Sequence, residues 1–128
     1  LSKTNGEYFF QSHSTNPLLS ADTIDRAIEE YFSNKFDSLI SVTEKRKRYF
    51  TLDGDPINHD PNILLRTQDL ERIYEENSCF YIFPRDLMIE RKNRIGKKPK
   101  MFQLTLPEAW DIDEEFDFSI AEFLKLNK

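Results

Sequence analysis

Short apolar and aromatic runs alternate along this chain with stretches whose apolar residues return every three or four positions, a pattern of alternating strands and helices. Tyr8-Phe9-Phe10 reads as a buried strand, ended by a polar run and Pro17. After Ser20, a residue type suited to capping a helix, Ile24, Ala27, Ile28, Tyr31 and Phe32 recur at helical spacing, with Asp25, Arg26, Glu29 and Glu30 on the other side. Residues 38–42 form the next strand, bounded by Asp37 and the charged stretch from Glu44 to Arg48. Strand, helix and strand in that order predict a right-handed parallel crossover, and so an α/β sheet with helices on its faces.

Beyond this unit the pattern loosens. Leu52-Asp53-Gly54-Asp55-Pro56 carries turn chemistry suited to a tight hairpin within residues 49–57, an excursion from the sheet. Residues 58–77 are polar and show no clear period, with only an ambiguous helical hint at Leu70, Ile73 and Tyr74, so an irregular segment is expected. A third strand is predicted over residues 78–83, a short helix over 85–92, a fourth strand over 101–104, and a closing amphipathic helix over 114–126 that buries Phe116, Ile120, Phe123 and Leu124.

Composition narrows the class. A chain of 128 residues, 38% hydrophobic and 13% aromatic, supports one core and one domain, residues 1–128. A formal net charge of −5 argues against a generic partner for nucleic acid polymers, whose affinity comes from Lys and Arg neutralising phosphates. The charge is nevertheless segregated: basic residues cluster at Lys45 to Arg48 and from Arg91 to Lys100, and acidic ones from Glu108 to Glu122. Each basic cluster reads as a solvated face or as an anion site. Cys79 is the single cysteine, which excludes an intrachain disulfide and a thiolate zinc site built from this chain alone. Lying in Cys79-Phe80-Tyr81-Ile82-Phe83, it reads as a buried, inert thiol. No apolar run is long enough for a membrane span and no secretory leader opens the sequence, so a soluble, cytoplasmic protein is expected.

The chemistry concentrates in Trp110-Asp111-Ile112-Asp113. Two carboxylates at i and i+2 of an extended segment point the same way and together can hold a divalent cation; the plainer alternative makes Asp113 the N-cap of the last helix. The phosphate-cradling glycine-rich loop of open α/β sheets is missing, because the three glycines, Gly6, Gly54 and Gly96, stand far apart. With Leu1 rather than Met at its start, the sequence reads as the back part of a larger domain.

Four segments carry a resemblance in order. They are Thr15-Asn16-Pro17-Leu18-Leu19, then Asp37-Ser38-Leu39-Ile40-Ser41-Val42-Thr43, then Gln68-Asp69-Leu70 leading to Asn77-Ser78-Cys79-Phe80-Tyr81-Ile82, and finally Asp111-Ile112-Asp113 with Asp117-Phe118 and Ala121-Glu122. The chain resembles the acylneuraminate cytidylyltransferases, the CMP-sialic acid synthetases with their CMP-nonulosonate and CMP-KDO relatives, and corresponds to their C-terminal portion. The resemblance implies a three-layer Rossmann-like nucleotidyltransferase sheet, partial because the N-terminal nucleotide-binding part with its CTP loop is missing. It also implies that residues 49–77 protrude as a dimerisation and substrate segment, and that the partners are CTP, a nonulosonic sugar acid and a second copy of the chain. In that family the anomeric hydroxyl of the sugar acid attacks the α-phosphate of CTP and pyrophosphate leaves, with Mg2+ as cofactor.

By the same resemblance Asp111 and Asp113 are the catalytic, metal-binding pair. His13, Thr15, Asn16, Arg66, Gln68, Asn77 and Tyr81 match positions that face substrate, whereas His59 matches a loop position. The chain departs from the family at Ser78 and Cys79, where many members read Gly-Ala, and at Thr67, where many sialic acid synthetases carry an arginine. Threonine supplies no charge for the sugar carboxylate, so Arg66 or the stretch from Arg94 to Lys98 is left to supply it. This stretch of chain is expected to be inactive without the CTP loop. The alternative is a noncatalytic sugar- or protein-binding domain that keeps the nucleotidyltransferase fold.

Overall fold

Strands and helices alternate in a computed structural model that describes residues 7–33 and 35–127; Gly6 lies outside the described residues. The order is β1 (Tyr8–Ser12), α1 (Ala21–Ser33), β2 (Ser38–Lys45), a 3-10 turn (Thr67–Asp69), β3 (Ile73–Pro84), α2 (Arg85–Arg91), β4 (Pro99–Gln103), α3 (Leu106–Ala109) and α4 (Glu115–Leu126). The chain divides into two compact units, one comprising residues up to Thr43 and from Glu76 onward, the other Glu44–Glu75.

The first unit is built on a four-stranded mixed sheet in the order β1-β3-β2-β4. β1 pairs antiparallel with β3, Gln11 opposite Tyr81, and β2 pairs parallel with β4, Ser41 opposite Phe102. Ser41 meets Phe80 and Thr43 meets Asn77 across β2 and β3, so that pair also runs antiparallel. β1 and β2 therefore point the same way, as the strand-helix-strand pattern predicted, but β3 returns from far along the sequence to lie between them.

Alternation along β3 sends Phe80 and Ile82 to one face of the sheet and Tyr81 and Phe83 to the other. Phe80 and Ile82 pack with Leu39 and Phe102 against Ala27 and Tyr31 of α1. Tyr81 and Phe83 pack with Ile40 and Val42 against Leu87 and Met88 of α2. A large apolar side chain buried in this way stabilises by about 1.5–3 kcal/mol. β2 is buried from Ser38 to Thr43 on both faces, which is why its sequence lacks a polar alternation. The Ser20 hydroxyl accepts from the Thr23 amide at 3.2 Å and caps α1 as expected. No helix among the described residues is long and apolar enough to cross a membrane.

Several features differ from expectation. β1 is an edge strand and largely exposed rather than buried. α4 leaves Phe116 and Phe123 exposed, β4 starts at Pro99, and the short helix α3 has no counterpart in the sequence pattern. β3 begins at Ile73, inside the segment expected to be irregular, because its first residues, Tyr74, Glu75 and Glu76, are exposed and carry no burial signal. Within the strand, Ser78 takes a left-handed backbone conformation at φ 61°. At the start of α4 the N-cap is Glu114 rather than Asp113. The Asp117 carboxylate accepts from both the Asp113 and Glu114 amides at 3.1 Å and covers donors that the helix leaves free.

In the second unit, the Asp-Gly turn forms where the sequence placed it. Gly54 takes φ +91°, a conformation that glycine adopts without strain, and its amide donates to Thr51 O at 2.9 Å. Phe50 and Pro56 bridge above the turn. Asn58 ties the loop by accepting from the Tyr49 amide at 3.0 Å and donating to Lys47 O at 2.8 Å. The basic run is partly consumed here: Arg46 pairs with Glu44 at 3.4 Å and Arg48 donates to Leu65 O. Leu70 is the buried apolar residue of this unit, whereas Leu52 and Leu64 are 105% and 96% exposed.

Candidate functional site

The loop after β1 and the extended segment after α3 are stitched together by their backbones and by two polar side chains. The Ile112 amide donates to Thr15 O at 2.9 Å, which fixes the register of the two segments. Beside it the Thr15 hydroxyl donates to Asp111 Oδ1. Asn16 is buried, and its side-chain amide donates to Trp110 O at 3.2 Å and Ala109 O at 3.4 Å. Three residues singled out from sequence thus meet at one corner, although 94 positions separate Asn16 from Trp110. The indole of Trp110 donates to Asp117 O at 2.9 Å and anchors this corner to α4.

Asp113 lies two residues beyond Asp111 and is exposed. The Asp111 charge holds the Asp113 carboxyl above its ordinary range, with smaller contributions from slight desolvation, a hydrogen bond to Asp111, and the charges of Asp117 and Glu114. Two carboxylates that repel each other at an exposed corner are the donor set expected of a hard divalent cation. Among the described residues no group of three or more His, Cys, Asp or Glu side chains is arranged to hold a metal. Mg2+ needs only one or two carboxylates when waters and phosphates complete its shell, so the pair fits it.

A second polar cluster lies where β2 and β3 meet. Asn77 Oδ1 accepts from Ser41 Oγ at 2.5 Å and from the Cys79 amide at 3.2 Å, and its Nδ2 donates to Thr43 Oγ1 at 3.0 Å. Ser41 Oγ in turn accepts from the Phe80 amide at 3.0 Å. Cys79 is fully buried beside this cluster, and burial, followed by the Asp111 charge, pushes its thiol up to about 11. That is an inert thiol, in keeping with its apolar surroundings in the sequence.

Tyr81, also fully buried, donates from its hydroxyl to the Glu76 carboxylate and makes a 3.1 Å bond to Ser78 Oγ. Burial raises its pKa, and the bond to Glu76 adds to the rise. His13 is exposed, and its backbone amide donates to Cys79 O at 3.2 Å. Arg66 and Gln68 belong to the second unit, where Arg66 Nε is paired with Asp69 at 2.9 Å. His59 stacks edge-on against Phe50 with centroids 4.8 Å apart.

Sequence reasoning left out Ser41, Glu76 and Gln11, whose partners are set by pairing between distant strands and leave no local signal.

The whole chain, residues 1–128, matches the family model described as Cytidylyltransferase. Among curated proteins it is similar to post-translational flagellin modification protein B of Campylobacter coli, 34% identical over 113 residues that make up 84% of this chain and 48% of that protein. It is also similar to CMP-N,N'-diacetyllegionaminic acid synthase of Campylobacter jejuni, 32% identical over 90 residues, 67% of this chain and 38% of that protein. A third relative is an N-acylneuraminate cytidylyltransferase of Streptococcus agalactiae, 26% identical over 112 residues, 81% of this chain and 27% of that protein. The chain spans less than half the length of these relatives.

Proposed function

Because the chain belongs to the cytidylyltransferase family, we propose that it forms part of a CMP-sugar-acid synthetase, transferring CMP from CTP to the anomeric hydroxyl of a sialic-acid-like nonulosonate. The observation that carries this is the acidic corner, where the loop after β1 grips Asp111 through Thr15 and sets Asp113 beside it. Relatives named for legionaminic acid and acylneuraminate chemistry support the substrate class.

In the reaction the anomeric oxygen forms a bond to the α-phosphorus of CTP while the bond to the pyrophosphate oxygen breaks. Little covalent work falls to the protein, so orientation and electrostatics dominate. Thr15 holds the Asp111 carboxylate in place, and Asn16 fixes the backbone that carries it. Asp111 and Asp113 would hold Mg2+, which when bound neutralises charge on the phosphate oxygens. The proposal takes the parent to carry a Rossmann-like nucleotidyltransferase sheet and to work in the cytoplasm; the mixed α/β sheet supports the first part.

The unit Glu44–Glu75 is the dimerisation segment of this proposal. Its support is the exposure of Leu52, Ile57, Ile63 and Leu64, apolar side chains that a second copy would cover. Leu52→Asp with Leu64→Asp should convert the dimer to a monomer in sedimentation velocity; a wild-type monomer would remove this part of the reading.

The test of the activity is pyrophosphate release by the full-length polypeptide carrying this segment, with CTP, Mg2+ and a panel of sialic, legionaminic, pseudaminic and KDO acids. Release that depends on one acid, and that drops by about 100-fold or more in Asp111→Asn and Asp113→Asn, is the expected result. A folded full-length protein that releases nothing with any acid would overturn the synthetase and leave a noncatalytic binding domain.

A further inference from the structure

Tyr81 carries on its ring a cation that no acid of the described structure neutralises. The Arg94 guanidinium lies over the ring, its Cζ 4.0 Å from the centroid, a cation–π contact that is strengthened where the ring is buried. Tyr81 is a rigid platform, since its side chain is enclosed and its hydroxyl is held by Glu76 and Ser78. From the side, Arg94 Nη1 donates to Gln11 Oε1 at 3.3 Å. Gln11 and Tyr81 are opposite one another across β1 and β3, so both anchors of the guanidinium are set by strand pairing.

Arg94 combines a half-buried seat on a buried ring with the lack of a carboxylate partner. Arg26 and Arg91 likewise have no carboxylate within ion-pair distance among the described residues but are exposed, and Arg48 is bonded to Leu65 O. Arg46, Arg66 and Arg72 each have a carboxylate within ion-pair distance, whereas among the described residues Arg94 has none. A guanidinium has five N–H donors, and the bond to Gln11 uses one. The remaining donors form a planar fork whose geometry matches a carboxylate. Arg94 is also half-buried, so the charge is neither fully solvated nor paired. Gln11 stands four residues before Thr15 on the strand that feeds the acidic corner, at most about 14 Å of extended chain.

We propose that Arg94, held flat on Tyr81 and tethered by Gln11, recognises the carboxylate of the sugar acid and thereby selects an acid over a neutral sugar. The assignment rests on the synthetase reading and names which residue supplies the charge that Thr67 lacks. Arg66 is engaged with Asp69 at 2.9 Å in the other unit, whereas Arg94 lies on the buried Tyr81 ring with its fork open. Tyr81 then acts as a positioning residue, because it sets the plane of the guanidinium.

The test is a calorimetric titration of the full-length polypeptide with the preferred nonulosonic acid and with its carboxamide analogue, for wild type, Arg94→Met and Arg94→Lys. Wild type should prefer the acid by roughly ten- to a hundred-fold. Arg94→Met should bind acid and carboxamide equally while keeping the wild-type affinity for CTP, and Arg94→Lys should keep part of the preference, having the charge without the fork. The assignment is overturned if wild type shows no preference, if the preference survives in Arg94→Met, or if affinities for acid, carboxamide and CTP fall together. The titration needs no turnover, so a protein that prefers the acid yet releases no pyrophosphate keeps Arg94 in this role and overturns only the synthetase.

Discussion

Removing the Asn77 side chain should cost the fold more than it costs substrate binding. Both lone pairs of Oδ1 are used, by Ser41 and by the Cys79 amide, and one Nδ2 proton goes to Thr43. A single N–H therefore remains for any ligand. Ser41 and Thr43 are only 1% and 5% exposed, so water cannot replace the lost partner. With each neutral hydrogen bond worth about 1 kcal/mol net, Asn77→Ala should lose about 3 kcal/mol, a large part of the roughly 5–15 kcal/mol that holds a domain together. In urea, at a slope of about 1–3 kcal/mol per molar, the midpoint should fall by roughly 1–3 M with the slope unchanged. Asn77→Asp should lose less, because the Thr43 hydroxyl can rotate and donate to the new carboxylate. The assay is urea unfolding of the full-length polypeptide followed by circular dichroism, with sugar-acid affinity measured on the same samples. A loss below about 1 kcal/mol in Asn77→Ala, accompanied by weakened sugar-acid binding, would refute this reasoning and return Asn77 to the role of a substrate contact.

Other substitutions probe the frame around the site. A Cβ at Gly96 would stand 2.4 Å from the Asp37 carboxylate, which also accepts from the Lys98 amide at 2.8 Å; Gly96→Ala should destabilise by about 1–3 kcal/mol in thermal unfolding, and an unchanged midpoint would show that the loop yields freely. Ser20→Ala should cost about 1 kcal/mol by removing the cap of α1, read from the urea midpoint. The Cys79 thiol is raised from 9.0 to about 11 in the fold, so its contribution is complete below pH 9 and is lost as the pH rises from 9 to 11, where the unfolded chain releases a proton that the folded chain keeps. Wild type should therefore lose stability relative to Cys79→Ala across that window, on the order of 2–3 kcal/mol, and parallel pH profiles of the two proteins would contradict it.

Burial patterns made the core elements legible, and the absence of such a pattern hid the others. α1 was readable because its apolar stripe and its Ser20 cap are both local, and β2 because a strand covered on both faces has few polar positions. The first half of β3 was not, since Tyr74, Glu75 and Glu76 pair through the backbone while their side chains face water. Asp113 looked like the cap of α4, but the choice between Asp113 and Glu114 depends on where the Asp117 carboxylate turns, which no short-range rule fixes. At the acidic corner, the sequence singled out residues in both loops and left their contacts unnamed. Thr15 and Asp111 were each singled out, yet only the fold makes one hold the other. Arg94 was visible only as one charge in a basic run, because its meaning depends on the Tyr81 ring beneath it.

Thr43 and Asn77 sit at the two points where the chain leaves and re-enters the first unit, and a 3.0 Å hydrogen bond joins them. An excursion whose ends are already clasped can be lengthened at little entropic cost, since loop closure grows only with the logarithm of loop length. The segment Glu44–Glu75 is therefore a module open to exchange: insertions, deletions and wholesale replacement can change what the protein meets there while the sheet and its acidic corner are inherited intact.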